Sequence, residues 1–365
     1  MSSAAPSTIE YDYALLSPGL SRIGDGGVVS LEPLRGGRNA RVYRLECAGG
    51  GSYVAKIYPE GADDSRDERR GREFAALRFM WRHGIRAIPE PVLTDPGGGY
   101  SVLRYVEGFP LSRDGIVEAD IDVAVDFLVE LDRCKHEPAS RALGHASEAC
   151  LSVEAAFEHL RRRLGGLRLA ADPVISPVHA RLREFLEAEL EPGVDSMIER
   201  AQDLMALRGE TCGATLGERT ATLSPSDFGF HNARRSLDGS IAFLDFEHFG
   251  WDDPAKLVSD FLLHPGFDLD DAFRARFFGE MCSRHSCGDD IAWRVPIVFP
   301  LHALKWSTIL LNEFVAEHRA RRDHARCLLG PDESLLEDQL DQARQMLETG
   351  IASVQRFPHA AESRS

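Results

Sequence analysis

The stretch Ser224–Pro254 reads SPSDFGFHNARRSLDGSIAFLDFEHFGWDDP. Asp227 and Asn232 stand five apart on what reads as a loop. Asp245 follows thirteen residues later, at the end of the apolar run IAFLD. The turn-rich Ser236–Ser240 joins the two parts into a hairpin-like unit. Such a unit brings a carboxylate, an amide and a second carboxylate to one end. Phosphoryl transfer uses this set: one carboxylate orients the attacking hydroxyl, and oxygen ligands hold Mg²⁺ on the nucleotide phosphates. Asp227, Asn232 and Asp245 are therefore candidates for such a set. The same Asp/Asn pair also fits a turn whose side chains bond the backbone.

The residues upstream sharpen the choice. Kinases write D-x-x-x-x-N followed by a metal-binding Asp, and hold the α- and β-phosphates with a strand lysine paired to a helix glutamate. SYVAKIY, Ser52–Tyr58, places Lys56 inside an apolar strand, where lysine is disfavoured. The next segment, 64–84, has helical periodicity and carries Glu73. Taken singly, Lys56 also reads as a snorkelling edge-strand lysine and Glu73 as a solvated side chain. Together, in this order ahead of the Asp/Asn/Asp set, they favour the phosphate-binding pair. Gly36 and Gly37 in LRGGRNARVYRL allow backbone N–H groups to approach phosphates, or simply make a hairpin turn. In YSVLRYVEG, backbone groups near Arg104, Tyr105 and Val106 can bond an adenine edge.

The layout is α+β. Residues 1–27 are expected to be a loose start holding at most one short helix. Residues 28–106 alternate as strands around one helix and form a small β-rich N-lobe. Residues 107–365 are mostly helical, with helices predicted near 121–134, 153–164, 178–190, 194–207, 301–320 and 335–354. Strand-like runs return at 220–223 and 241–246.

Composition narrows the function classes. The chain has 365 residues, a normal hydrophobic share of 43% and a net charge of −16. So acidic a chain selects against nucleic acid and anionic membrane as partners. Seven scattered cysteines without a C-x-x-C indicate neither a disulfide framework nor zinc, and fit a reducing cytoplasm. Met1–Ser7 lacks signal-peptide character. The apolar stretch 295–314 is interrupted by Pro296, Pro300, His302, Lys305 and Asn312, and reads as a buried helix rather than a span of the roughly 20 apolar residues a bilayer needs. No feature of the sequence sets an oligomeric state.

With these pieces assembled, GGRNARVYRL, VAKIY, the Glu73 helix, SVLRYVEG, DFGFHN and FLDFEHFGWDDP resemble the aminoglycoside phosphotransferase and choline kinase family in order and approximate spacing. The resemblance implies a bilobal protein-kinase-like fold, ATP or GTP as donor with Mg²⁺, and a hydroxyl of a small molecule as acceptor. It implies that Asp227 is the catalytic base, Asn232 and Asp245 are the Mg²⁺ ligands, and Lys56 is the phosphate-binding lysine with Glu73 as its partner. The sequence departs from the family twice. Pro225-Ser226 stands where the family writes His-Gly before the catalytic Asp. After Asp253-Pro254, Leu257 occupies the position of a second Asp, with Asp260 three residues on as its possible substitute. These departures mark a divergent branch. They motivate one alternative, a nucleotide-binding pseudokinase on the same fold. A protein kinase is disfavoured, because no A-P-E segment follows Asp245. Trp306, four residues after His302 on one helix face, reads as core packing; Lys305 and Glu313 read as a solvated face rather than a border of the acceptor pocket, and Glu247 as either a metal or substrate contact or a structural hydrogen bond.

Overall fold

The computed structural model describes residues 8–23, 26–34, 40–58, 65–172, 174–267, 269–316 and 333–356. Its first part is a five-stranded antiparallel sheet in the order β1-β2-β3-β5-β4. The strands are β1 Val28–Leu34, β2 Arg41–Cys47, β3 Ser52–Ile57, β4 Pro91–Asp95 and β5 Tyr100–Arg104. Side chains alternate across a strand. Tyr43 and Leu45 of β2 and Tyr53, Ala55 and Ile57 of β3 therefore share one face, which forms a small apolar cluster. Lys56 points to the other face, opposite Val42 and Ser101 in the register.

The segment expected to be loose contributes that small cluster's cover. Helix α1, Thr8–Leu20, lays Leu16 and Leu20 on the sheet. Asp12 anchors it: Arg41 donates to both carboxylate oxygens at 2.8 Å, and the Tyr43 hydroxyl donates at 2.6 Å. The partners lie about thirty residues away, so local composition could not reveal them. Helix α2, Ser65–Arg82, matches its expected span, and Phe74, Leu77 and Met80 join a second, larger apolar cluster.

The remainder is mostly helical. It holds α3 Glu118–Cys134, α4 Val153–Ala171, α5 Pro177–Phe185, α6 Glu191–Leu207, α7 Pro254–Leu263, α8 Asp271–Arg284, α9 Gly288–Leu310 and α10 Glu333–Arg356. A π-helical turn, Leu186–Leu190, links α5 to α6. Helix α8 had no forecast; its periodic signal is weak, since only Phe277 and Met281 are buried. Helix α9 runs through Pro296 and Pro300 and is largely buried, as the apolar stretch suggested. Among the described residues, no helix is long and apolar enough to cross a membrane.

Short strands carry the motif-rich stretch. These are β6 Phe109–Pro110, β7 Thr222–Ser224, β8 Ala233–Arg235, β9 Ile241–Phe243 and β10 Gly250–Asp252. Strands β8 and β9 form the expected hairpin, closed by Ser236 N to Ser240 O at 2.9 Å. Strand β6 extends it, and β10 pairs with β7.

Helix α7 is buried along its whole length. It nonetheless contains Lys256, whose ammonium lies 2.7 Å from Asp252 and 3.0 Å from Asp260. Burial would lower the Lys256 pKa, but the two carboxylates outweigh it and hold it well above the usual value. Lys256→Ala strands two buried carboxylates. It should cost about 3–5 kcal/mol of stability, read as a lowered urea midpoint at unchanged slope.

Candidate functional site

Five of the residues named from sequence meet between the sheet and the β8–β9 hairpin. Lys56 Nζ lies 2.6 Å from Glu73 Oε1 and 2.8 Å from Asp245 Oδ1. The Asp245 side chain is 39% exposed and that of Glu73 1%, so Asp245 is the end open to the cleft. Burial favours the neutral amine, but Asp245 and then Glu73 keep Lys56 charged, with its pKa well above normal. Tyr58 donates its hydroxyl to Glu73 Oε2, and Phe246 N donates to Glu73 Oε1 at 3.3 Å. Glu73 is thus held from three sides. Tyr58 was not singled out from sequence, although its signal was available: it stands two residues after Lys56, on the same face of the extended chain.

The second carboxylate sits on the hairpin's loop. Leu244 N donates to Asn232 O at 2.7 Å, which sets Asn232 beside the residue preceding Asp245. Asn232 Nδ2 donates to Asp227 O at 3.1 Å and lies 3.4 Å from Asp227 Oδ2. With its nitrogen end anchored, the amide oxygen is left for a cation. Asp245 is pushed up by burial, opposed by Lys56, and pushed further by the Glu247 and Glu73 carboxylates. A divalent cation would relieve that crowding. The amide oxygen of Asn232 and the carboxylate of Asp245 are the hard oxygen donors that Mg²⁺ takes.

The loop is strained where it turns. Ser226 has φ 69° and closes a γ-turn in which Asp227 N donates to Pro225 O at 3.0 Å. Asp245 also has a left-handed backbone, φ 66°. These two lie at or beside the Asp227 and Asp245 carboxylates, and a third such residue, Glu148 at φ 55°, lies outside the loop. Burial alone would raise the Asp227 pKa; contacts from His231 and His264 reverse this and hold it well below normal. His264 Nε2 lies 3.1 Å and His231 Nε2 3.3 Å from Asp227 Oδ1. His264 is 37 residues away in sequence, and no local pattern pointed to it.

Other forecasts resolve differently. Gly36 and Gly37 lie outside the described residues. Tyr105 N is engaged by Ser52 O at 3.0 Å, so its N–H does not face a base edge, and its ring lies under the Arg44 guanidinium at 4.2 Å. Val106 N makes no backbone hydrogen bond among the described residues. Asp260 lies inside α7, bonded to Lys256 and to Trp306 Nε1 at 3.1 Å, where it ties helices together. Asp253 caps α7 through Ala255 N at 2.8 Å and pairs with Arg294. Glu247 is buried, 3.3 Å from His248 Nε2. Lys305 and Glu313 are buried rather than solvated, and Lys305 Nζ lies 3.4 Å from Glu148. Asp132, His285 and Cys287 also cluster with metal-ligand spacing. The Lys135 ammonium, 2.9 Å from Asp132 and 3.2 Å from Cys287 Sγ, already supplies the cation there.

The γ-turn yields a prediction. Ser226→Gly should fold at least as stably as the parent, since glycine enters the left-handed region without a Cβ penalty. Ser226→Val should lose at least about 1–2 kcal/mol. Paired thermal melts compare them, and equal melting points would contradict the strained turn.

The profile of the phosphotransferase enzyme family, APH, matches residues 30–286. No curated protein sequence matches the chain. Among solved structures, choline kinase LicA from Streptococcus pneumoniae aligns with a TM-score of 0.57 at 15% identity, covering 93% of this chain and 99% of that one. Aminoglycoside phosphotransferase APH(2'')-Ib, ADP-bound, aligns with 0.58 at 16% identity, covering 93% and 99%. Plasmodium vivax ethanolamine kinase aligns with 0.54 at 12% identity, covering 85% and 83%. At these identities the structural likeness shows the fold, which is bilobal and kinase-like, with a small antiparallel sheet and a larger helical part. The family match spans well over half the sequence, and the chain belongs to the phosphotransferase enzyme family.

Proposed function

We propose that this chain is an ATP- and Mg²⁺-dependent phosphotransferase that moves the γ-phosphate to a hydroxyl of a small molecule. One observation carries the reading. The Lys56–Glu73 pair reaches Asp245 across the cleft, and the hairpin sets Asp245 beside Asn232 and Asp227. A strand lysine, a helix glutamate and an Asp/Asn/Asp set in this arrangement suit positioning and charge stabilisation, which is most of what phosphoryl transfer requires.

In this reading Lys56, kept charged and aimed by Glu73, holds the α- and β-phosphates. Asn232 and Asp245 hold Mg²⁺, which neutralises charge on the phosphates. Asp227, ionised and open to the cleft at its free oxygen, orients the acceptor hydroxyl and takes its proton. GTP is an alternative donor, since the phosphate machinery does not distinguish the bases. Residues 28–106 would form the nucleotide lobe and 107–365 the lobe carrying the catalytic loop and the acceptor region. The similar structures include a choline kinase, an ethanolamine kinase and an aminoglycoside phosphotransferase, so amino alcohols and amino sugars are the first acceptors to try.

The pseudokinase alternative rests on Pro225-Ser226. Ser226 adopts the left-handed backbone that a glycine would take there, so the loop follows a path that delivers Asp227 to Asn232. That favours the enzyme.

Labelled ATP with Mg²⁺ and a pooled library of small hydroxylated metabolites tests the proposal. The parent should form a labelled product, and chelating the metal should stop it. Asp227→Ala should lower transfer by about 10²–10⁴-fold while still binding Mg²⁺-ATP. Near-normal turnover by that variant would remove Asp227 as the base. An absence of nucleotide binding by the parent would sink the whole reading.

A further inference from the structure

His264 ends α7 with its ring wedged beside the catalytic loop. Gly266 N donates to His264 Nδ1 at 2.9 Å. A backbone N–H can only donate, so Nδ1 is the lone-pair nitrogen. The ring's one proton in the neutral form is therefore on Nε2, which points at Asp227 Oδ1 from 3.1 Å. Aromatic neighbours fix the ring's plane. His231 stacks on it at 3.7 Å between centroids and 9° between planes, Phe267 lies near-parallel at 5.4 Å, and Trp306 meets it edge-on at 4.7 Å. The packing leaves no slack: a Cβ at Gly266 would lie 2.8 Å from His264 Cε1 and 2.9 Å from His231 Cβ.

The same cluster has the spacing of a metal site, with Asp227, His231 and His264 offering atoms within 4.8 Å of one another. The tautomer argues against that use. An imidazole that binds metal through Nε2 normally donates its other N–H to an acceptor. Here the other nitrogen faces a donor.

We propose that His264 is a positioning residue for the catalytic carboxylate: a neutral imidazole, locked as the Nε2–H tautomer by Gly266, which pins Asp227 Oδ1 and leaves Oδ2 to receive the acceptor's proton. The inference rests on Asp227 being the base. Oδ1 already faces two imidazoles, whereas Oδ2 has only the long 3.4 Å approach of Asn232. Burial, supported by the neighbouring His231, lowers the His264 pKa against the pull of Asp227, consistent with a ring that stays neutral. The sequence lacks a histidine ahead of Asp227 at Pro225-Ser226. Here a histidine arrives from the far end of α7 and grips the side chain itself.

Three variants of the full chain separate the outcomes: His264→Gln, His264→Leu and Asp227→Asn. A glutamine Nε2 can replace the donor; leucine keeps bulk without one. The probe is hydrolysis of Mg²⁺-ATP with water as acceptor, and transfer to any acceptor found in the metabolite library. His264→Leu should lower kcat by about tenfold or more, the loss of one charge-assisted hydrogen bond, with KM for ATP unchanged. His264→Gln should recover most of it. Equal losses in both variants, or parent kcat in the leucine variant beside an inactive Asp227→Asn, would overturn the inference alone. An active Asp227→Asn would overturn the base assignment beneath it. If His264→Leu fails to fold, the histidine ring ¹⁵N spectrum of the parent decides. The signal missing from His264→Gln should show the Nε2–H neutral form, and an Nδ1–H or doubly protonated ring at neutral pH would refute the proposal.

Discussion

The contact on which the rest of the molecule depends is the buried ammonium of Lys56 between Glu73 and Asp245. It joins three elements that share no local sequence: a central strand, the helix beside it and the end of β9. Withdrawing the Lys56–Glu73 pair from water is costly, and such pairs often add little net stability compared with apolar replacements. Their value lies in geometry. The apolar face of β3 packs under α1, which turns Lys56 away from that core and toward the cleft. Tyr58 and the Phe246 amide fix the carboxylate that aims it. The small cluster under α1 and the larger helical core are thereby linked through a polar contact.

On the other side of the cleft, backbone strain performs the comparable task. Ser226 and Asp245 both occupy the left-handed region. Each lies at or beside a carboxylate that an ordinary extended chain would direct elsewhere. The strain is sustained by what surrounds it: the β8–β9 ladder, the Leu244-to-Asn232 bond and β7 pairing with β10. These short strands have little stability of their own. They hold because Phe228, Phe243, Phe246 and Phe261 pack around Phe127 and each other beneath them.

The sequence disclosed what is local and lost what is remote. Lys56 was legible because a lysine in an apolar strand is anomalous, and Asp227, Asn232 and Asp245 because turn residues set their spacing. The hairpin followed from its turn. Tyr58 was half legible, through strand alternation. A short helix near the start was allowed for, but the docking of α1 was hidden, because the partners of Asp12 are on β2. His264 was hidden for the same reason. Lys305 misled in the opposite direction: a charge on an apolar helix suggested solvent, yet α9 is buried between α4, α7 and α10, and Glu148 comes from another segment to meet it. Periodicity reports which face is apolar, and it is silent on a charge that finds its partner across the fold.

The family's second aspartate after Asp-Pro also acquires a physical account. Leu257 fills its position, and the acidic residues that remain are structural. Asp252 accepts the Cys150 and Asp253 amides at 2.8 and 2.9 Å, Asp253 caps α7, and Lys256 is clamped between Asp252 and Asp260. Together these contacts set where α7 begins and how it is rotated. A helix held so firmly at its start delivers its last residues to a fixed place, since each residue advances about 1.5 Å along the axis. The residue after Leu263 is His264, and the place is Asp227. A buried lysine far from the cleft in its contacts thus sets the register of the helix that brings an imidazole to the Asp227 carboxylate.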